Sequence, residues 1–208
     1  MSGDDAYHQW ASLMHAYSMK GCARERYIVT LTVIVIAIVT IAKQTAGALG
    51  VTISIGTTSA FGIAFYVFDR FAWRWPLISM VVGIPDLTGT WKIVGQTSGV
   101  DGQQREWAAE ARIEQSWSQI AIGIETEMSR SRSGIAALER DAGHGVRLVY
   151  GYSNELKSPS FELRSHRGTC EVVFTSDLQS GQGTYFNDHQ RRTVGEMKWT
   201  RIRNVSPT

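Results

Sequence analysis

Two apolar runs near the N-terminus carry no charged residue. Residues 27–42 read YIVTLTVIVIAIVTIA and residues 45–68 read TAGALGVTISIGTTSAFGIAFYVF. A helix rises about 1.5 Å per residue, so the longer run can cross a hydrocarbon core of about 30 Å. The shorter run is flanked by Arg26 and Lys43, whose side chains can reach outward from the membrane. Only Lys43 and Gln44 separate the two. The pattern predicts a helical hairpin, with transmembrane helices at about 27–43 and 45–68 and a linker to residue 84. In the second run Ala46, Gly50, Ser54, Thr58 and Gly62 recur every four residues. They form a ridge of small side chains suited to transmembrane packing, against the first helix or against a neighbouring subunit. Upstream, Tyr7, Trp10, Met14 and Tyr17 recur at helical spacing. They predict a short amphipathic segment within residues 1–26, lying on the membrane surface or capping the hairpin.

From Pro85 onward the period changes from continuous apolar runs to alternation, the signature of strands. Eight strands are predicted, at about 87–97, 106–116, 118–128, 132–140, 145–153, 166–176, 182–187 and 193–202. Ile120, Ile122 and Ile124 form one inward set. Trp107, Ala109, Ala111, Ile113 and Gln115 form another, Val146, Leu148, Tyr150 and Tyr152 a third, and Cys170, Val172 and Phe174 a fourth. Gly- and Pro-containing turns separate them. The expected fold is an N-terminal α-helical transmembrane hairpin plus an all-β domain over 85–208. That domain is read as a small closed eight-stranded antiparallel β-barrel, with a sandwich as the alternative.

Charge sharpens the division. Residues 27–84 hold only Lys43, Asp69, Arg70 and Arg74 as charged residues, so a single soluble globule with a uniform surface is excluded. Lys20, Arg24 and Arg26 precede the first apolar run, Arg70 and Arg74 follow the second, and only Lys43 lies between. By the positive-inside rule both termini and the barrel face the cytoplasm of a multi-pass protein. The formal net charge of +2 does not point to a DNA or RNA polymer as partner. Two cysteines, Cys22 and Cys170, fit a reducing compartment better than a disulfide framework.

Residues 85–208 contain twelve Arg and three Lys, a bias toward the planar fork that grips phosphate and stacks on bases. Polar and aromatic residues gather near predicted strand ends. Ser129, Arg130, Ser131 and Arg132 lie in one stretch, and Tyr150, Tyr152 and Asn154 in a second. A third holds Tyr185, Asn187, Arg191, Arg192 and Thr193. Tyr offers a stacking platform, and Asn, Ser and Thr can read base edges. Phosphate-loop, serine-hydrolase and zinc-protease motifs are absent from the sequence, and the histidines show no metal-ligand spacing. The chain reads as a receptor or effector rather than an enzyme, with no catalytic residues, metal or cofactor. A membrane-tethered, lipocalin-like barrel for an apolar ligand, or an anchor for a partner protein, is the alternative.

Residues 86–202 resemble the β-strand-rich domain of two-transmembrane effectors in bacterial CBASS antiphage systems. The resemblance lies in DLTGTWKI (86–93), RIEQSWSQIAIGIETEMSRSRS (112–133), LVYGYSNE (148–155), RGTCEVVF (167–174) and GTYFNDHQRRTVGEMKW (183–199). Leu156 departs from it, standing where related sequences often carry proline. The resemblance implies a barrel that binds a cyclic oligonucleotide, a di- or trinucleotide made by a partner nucleotidyltransferase. Binding would drive a homo-oligomer through the transmembrane helices, disrupt the inner membrane lipid bilayer, and arrest or kill the cell as abortive infection. It also implies ligand contacts within 129–133, 150–155 and 185–193.

Overall fold

The computed structural model describes residues 14–50, 52, 54, 56–99, 102–141, 145–157, 165–188 and 192–202. By internal contact the chain divides into Cys22–Ile84 and a second unit that joins the N-terminal stretch through Gly21 to Pro85 and beyond. A helical unit is thus inserted into a β unit.

The helical unit contains α1 (Arg24–Ala48), α2 (Thr57–Arg70), a 3-10 turn at Ala72–Arg74, and α3 (Pro76–Val82). α1 is rich in β-branched residues. The hydroxyls of Thr30, Thr32 and Thr45 donate to carbonyls one turn earlier, at 2.8, 2.8 and 2.9 Å, so these three hydroxyls do not need water. The expected joint at Lys43-Gln44 lies inside α1. Both are good helix formers, and nothing there ends a helix. The helix ends later, where Gly50 takes a left-handed conformation at φ 71°.

Among the described residues α1 is the one helix long and apolar enough to cross a membrane. The expected span at 45–68 is not a single helix. Ala46 lies on α1, Gly50 and Ser54 lie outside any helix, and only Thr58 and Gly62 share α2. The five small residues therefore do not form one ridge, because the four-residue spacing requires a continuous helix that Gly50 interrupts.

The β unit has nine strands: β1 (His15–Lys20), β2 (Gly89–Ser98), β3 (Gln104–Gln115), β4 (Gln119–Glu125), β5 (Ser129–Asp141), β6 (Gly145–Leu156), β7 (His166–Phe174), β8 (Ser180–Asn187) and β9 (Val194–Arg201). β2 to β9 correspond to the eight predicted strands. Their order closes on itself as β1-β4-β3-β2-β9-β8-β7-β6-β5, with β4 also pairing with β5. The count of eight is corrected by β1. Its stretch was expected to be part of an amphipathic helix, whose earlier positions Tyr7 and Trp10 lie outside the described residues. In HAYSMK, Tyr17 is buried while Ala16, Ser18 and Lys20 are exposed, which is strand alternation.

β1 is wedged into a seam. β4 and β5 pair directly at Gly123–Glu125 with Arg130–Arg132. Beyond that β1 lies between them, antiparallel to β4 at His15–Ala16 and parallel to β5 from Tyr17 to Lys20. The wedge is held by a buried polar knot. The Tyr17 hydroxyl donates to the Trp117 carbonyl at 3.2 Å and accepts from Gln115 Nε2 at 3.1 Å. Gln115 also donates to the Pro85 carbonyl at 3.0 Å and accepts from the Leu87 amide at 2.9 Å. One side chain thus ties β1, which leads into α1, to the segment returning from α3.

The inward faces fill one end of the sheet. Trp91, Phe174 and Trp199 pack with ring centroids 4.8, 6.1 and 5.9 Å apart, within the range for favourable aromatic pairs. Ile93, Ile113, Leu138, Leu148 and Val172 complete this plug, each essentially without exposure. Arg201 closes it from outside, with Nη2 donating to the carbonyls of Thr88 at 2.6 Å and Asp86 at 3.1 Å and its guanidinium 5.0 Å from the Trp91 ring.

Gln115→Leu keeps the volume but strands the Pro85 carbonyl and the Leu87 amide. Each buried unpaired group costs about 1–3 kcal/mol, so a loss of about 2–4 kcal/mol is expected. Urea unfolding of the full chain followed by tryptophan emission measures it, and a midpoint equal to wild type would refute the knot.

Candidate ligand cavity

At the end opposite the plug the inward side chains leave a cavity of about 980 Å³. Alternation decides what faces it. On β5, Ser129 and Ser131 line the cavity, while Arg130 and Arg132 fall on the other face and do not. Arg130 instead meets Glu125 at 3.5 Å on the exposed surface. The expectation that the Ser-Arg repeat presents guanidiniums to a ligand is corrected by strand parity: neighbours cannot both point inward.

β6 supplies Tyr150, Tyr152 and Asn154. Asn154 Nδ2 donates to Ser131 Oγ at 2.8 Å and Ser129 Oγ at 3.0 Å, joining two expected clusters into one wall. Tyr150 is fully enclosed, and burial pushes its phenol well above the ordinary range. Its hydroxyl has no hydrogen-bond partner among the described residues.

β8 supplies Tyr185 and Asn187, and Thr193 follows just before β9. The Tyr152 hydroxyl donates to Asn187 Oδ1 at 2.8 Å, and Asn187 Nδ2 donates to Thr193 Oγ1 at 2.6 Å. Arg192 is exposed with φ 48°, its amide donating to the Asp188 carbonyl at 2.8 Å. It does not line the cavity. Arg191 lies outside the described residues. Eight of the twelve expected ligand residues thus border one cavity: Ser129, Ser131, Tyr150, Tyr152, Asn154, Tyr185, Asn187 and Thr193. The amides and hydroxyls are there, and the described arginines of the set are not.

Sequence reasoning missed Arg105, Trp107 and His166, which also line the cavity. Parity marks all three. Arg105 lies two residues before Trp107 on the inward face of β3, and His166 shares a face with Cys170 and Phe174. Trp107 Nε1 donates to the Tyr185 hydroxyl at 3.0 Å, and that hydroxyl also bonds Thr97 Oγ1. The chemistry offered is aromatic surface, hydroxyls and amides, with Arg105 and His166 as cationic or polar contacts and Glu106 and Glu127 at the boundary.

Comparison with known proteins now bears on this geometry. A family described as "Cap15, cyclic dinucleotide receptor domain" matches residues 82–201. This chain belongs to that family. The match covers β2 to β9 and every cavity residue, and it leaves β1 and α1 outside. A relative from Yersinia aleksiciae, "CD-NTase-associated protein 15", is 36% identical over 138 residues. The alignment covers 66% of this chain and 65% of that relative, so the chain spans about two thirds of the relative's length. The resemblance to CBASS effectors read from the motifs is therefore borne out.

Two properties of this Cap15-family domain can be checked directly. Glu125 Oε1 meets Lys157 Nζ at 2.6 Å, and Lys157 also donates to the Thr126 carbonyl at 2.7 Å, clipping the β4–β5 turn to the end of β6 beside the cavity. The lysine holds the Glu125 carboxyl below the usual carboxylate range. The clip is fully present above the unfolded carboxylate pKa and is lost as pH falls through the lower folded value. A carbon-detected NMR titration should find Glu125 returned toward the ordinary range in Lys157→Met. On β7, burial pushes the Cys170 thiol up to about 12. Iodoacetamide at pH 8 should leave Cys170 unmodified in the folded protein and label it after denaturation. Rapid labelling of the native chain would show the strand face to be open.

Proposed function

We propose that this protein is a membrane-anchored effector of antiphage defence whose β unit binds a cyclic dinucleotide in the cavity. The observation that carries the ligand reading is the cavity itself. It is open at one end of a sheet plugged at the other, and it is walled by Trp107, Tyr150, Tyr152 and Tyr185 together with the Asn154 and Asn187 hydrogen-bond groups. A volume of about 980 Å³ lies at the upper end of small-molecule sites. Planar bases suit the rings, and sugar and phosphate oxygens suit the hydroxyls, amides and Arg105. A receptor needs no acid–base pair, and the domain acts by binding.

In this reading the ligand comes from a partner nucleotidyltransferase. Binding promotes assembly of several copies through the helical unit, and the assembly damages the bilayer. Moving such an equilibrium from 1:99 to 99:1 requires about 5.5 kcal/mol of tighter binding to the assembled state.

Sheet closure supports a return crossing. β1 precedes α1 and β2 to β9 follow α3, and all belong to one closed sheet. A hydrogen-bonded sheet cannot be divided between two sides of a membrane. If α1 crosses, the chain must return before Pro85, and in this reading it does so before Arg70. Arg24 and Arg26 at one end and Arg70 and Arg74 at the other then lie on the same side, and by the positive-inside rule that side is the cytoplasm.

The test is calorimetric titration of the full chain in detergent with the set of 3′,3′-linked cyclic dinucleotides built from A, G, C and U. Cyclic trinucleotides and a fatty acid are included. One cyclic dinucleotide should bind at micromolar affinity or better, and Asn187→Leu should weaken it about tenfold or more by removing a polar wall group. Binding of the fatty acid alone would favour an apolar carrier, and binding of nothing would sink the receptor reading.

A further inference from the structure

The cavity exists because three aromatic rings that could have filled it are folded back over glycines. Each ring lies on one strand directly opposite a glycine on the next. Trp107 pairs with Gly95, Tyr185 with Gly195 and Tyr152 with Gly168. A Cβ on Gly95 would fall 2.5 Å from the Trp107 ring atoms Cε2 and Cζ2. One on Gly195 would fall 2.6 Å from the Tyr185 ring, and one on Gly168 would strike the Tyr152 ring and hydroxyl. No such approach is possible for any residue that carries a side chain. A similar pair, Phe174 over Gly181, occurs in the plug, but there Trp91 and Trp199 cover the phenyl ring. At the open end all three rings border the cavity instead.

The polar ends of these rings are already engaged. The Trp107 N–H is spent on the Tyr185 hydroxyl at 3.0 Å, that hydroxyl also meets Thr97, and the Tyr152 hydroxyl donates to Asn187 at 2.8 Å. The indole has no second donor, and the hydrogen bonds hold the rings in place. Trp107 and Tyr185 meet edge to face, with centroids 5.7 Å apart and planes at 77°, so the rings border the cavity as aromatic surfaces of different orientation rather than as one flat platform. A base in contact with them gains stacking without a rotamer change.

We propose that Gly95, Gly168 and Gly195 are specificity-determining positions: by letting Trp107, Tyr152 and Tyr185 lie against the wall, they convert an end that would otherwise be filled into a base-stacking site. This rests on the cyclic dinucleotide reading and deepens it. It assigns base recognition on this wall to stacking, with edge reading left to the Asn154 and Asn187 wall. Gly95 gives the cleanest test, because the three atoms nearest to an added Cβ all belong to the Trp107 side chain, whereas a Cβ on Gly168 or Gly195 would also strike backbone oxygens.

The experiment titrates the full chain in detergent with the same set of cyclic dinucleotides, comparing wild type, Gly95→Ala, Trp107→Leu and Trp107→Tyr. Gly95→Ala should turn the indole into the cavity and weaken binding about tenfold or more. Trp107→Leu enlarges the cavity, yet it should weaken binding by a similar factor because a platform is lost. Trp107→Tyr, which keeps a ring, should recover most of the affinity. Wild type should also show ligand-induced quenching of indole emission that Trp107→Leu lacks. If Gly95→Ala loses cooperative unfolding, the two Trp107 variants decide. Wild-type binding with Gly95→Ala and Trp107→Leu within about threefold of it overturns the proposal while leaving the receptor reading intact. No binding by wild type overturns both.

Discussion

Closure of the sheet is the constraint on which the rest of this molecule depends, and the buried contact between Tyr17 and Gln115 secures it. A six-residue strand from before the helical insertion fills the seam between β4 and β5. The amide of Gln115 binds that strand and also the segment by which the chain re-enters the sheet at Pro85 and Leu87. A closed sheet has no free edge on which another chain could pair. It also requires whatever leaves the sheet at Gly21 to return at Pro85 on the same side.

Closure creates an interior, and side-chain choice divides that interior in two. At one end Trp91, Phe174 and Trp199 point inward and meet, with Arg201 over the outside of Trp91. At the other end the inward residues are serines, amides and rings lying across glycines, and the space stays open. The packed plug and the open cavity are thus located at opposite ends of the same strands. The plug can hold the register rigidly, and the open end can carry polar groups that a packed core would not accommodate. The Asn154–Ser131 and Tyr152–Asn187–Thr193 hydrogen bonds link side chains across this wall and hold it in shape, while Asn154 Oδ1 has no hydrogen-bond partner among the described residues.

The arginines show how composition and position part company. Their excess over lysine in residues 85–208 suggests phosphate recognition, yet Arg130 and Arg132 lie on the outer face of β5 and Arg192 outside the cavity. The cavity is built from the residues beside them in sequence. The described arginine at its boundary is Arg105, whose place follows from parity with Trp107 rather than from any cluster.

Much of this was legible in the order of residues. Alternation placed β2 to β9, because a strand buried on one face must carry its apolar residues two apart. The gathering of aromatic and polar residues near predicted strand ends named Tyr150, Tyr152, Asn154, Tyr185, Asn187 and Thr193 as candidates, all of which border the cavity. The apolarity of α1 was equally plain, but its extent was not, since the expected joint at Lys43-Gln44 lies inside the helix. Three things needed the tertiary structure. HAYSMK fits a helix or a strand by pattern, and only the slot between β4 and β5 selects the strand. The small residues from Ala46 to Gly62 look like one ridge, but the left-handed turn at Gly50 breaks it. The cavity rests on contacts between Trp107 and Gly95, Tyr185 and Gly195, and Tyr152 and Gly168, which lie 12, 10 and 16 residues apart in sequence and become neighbours only when strands pair. A linear pattern specifies which face a residue occupies. What stands opposite that face depends on register, and register is a property of the closed sheet.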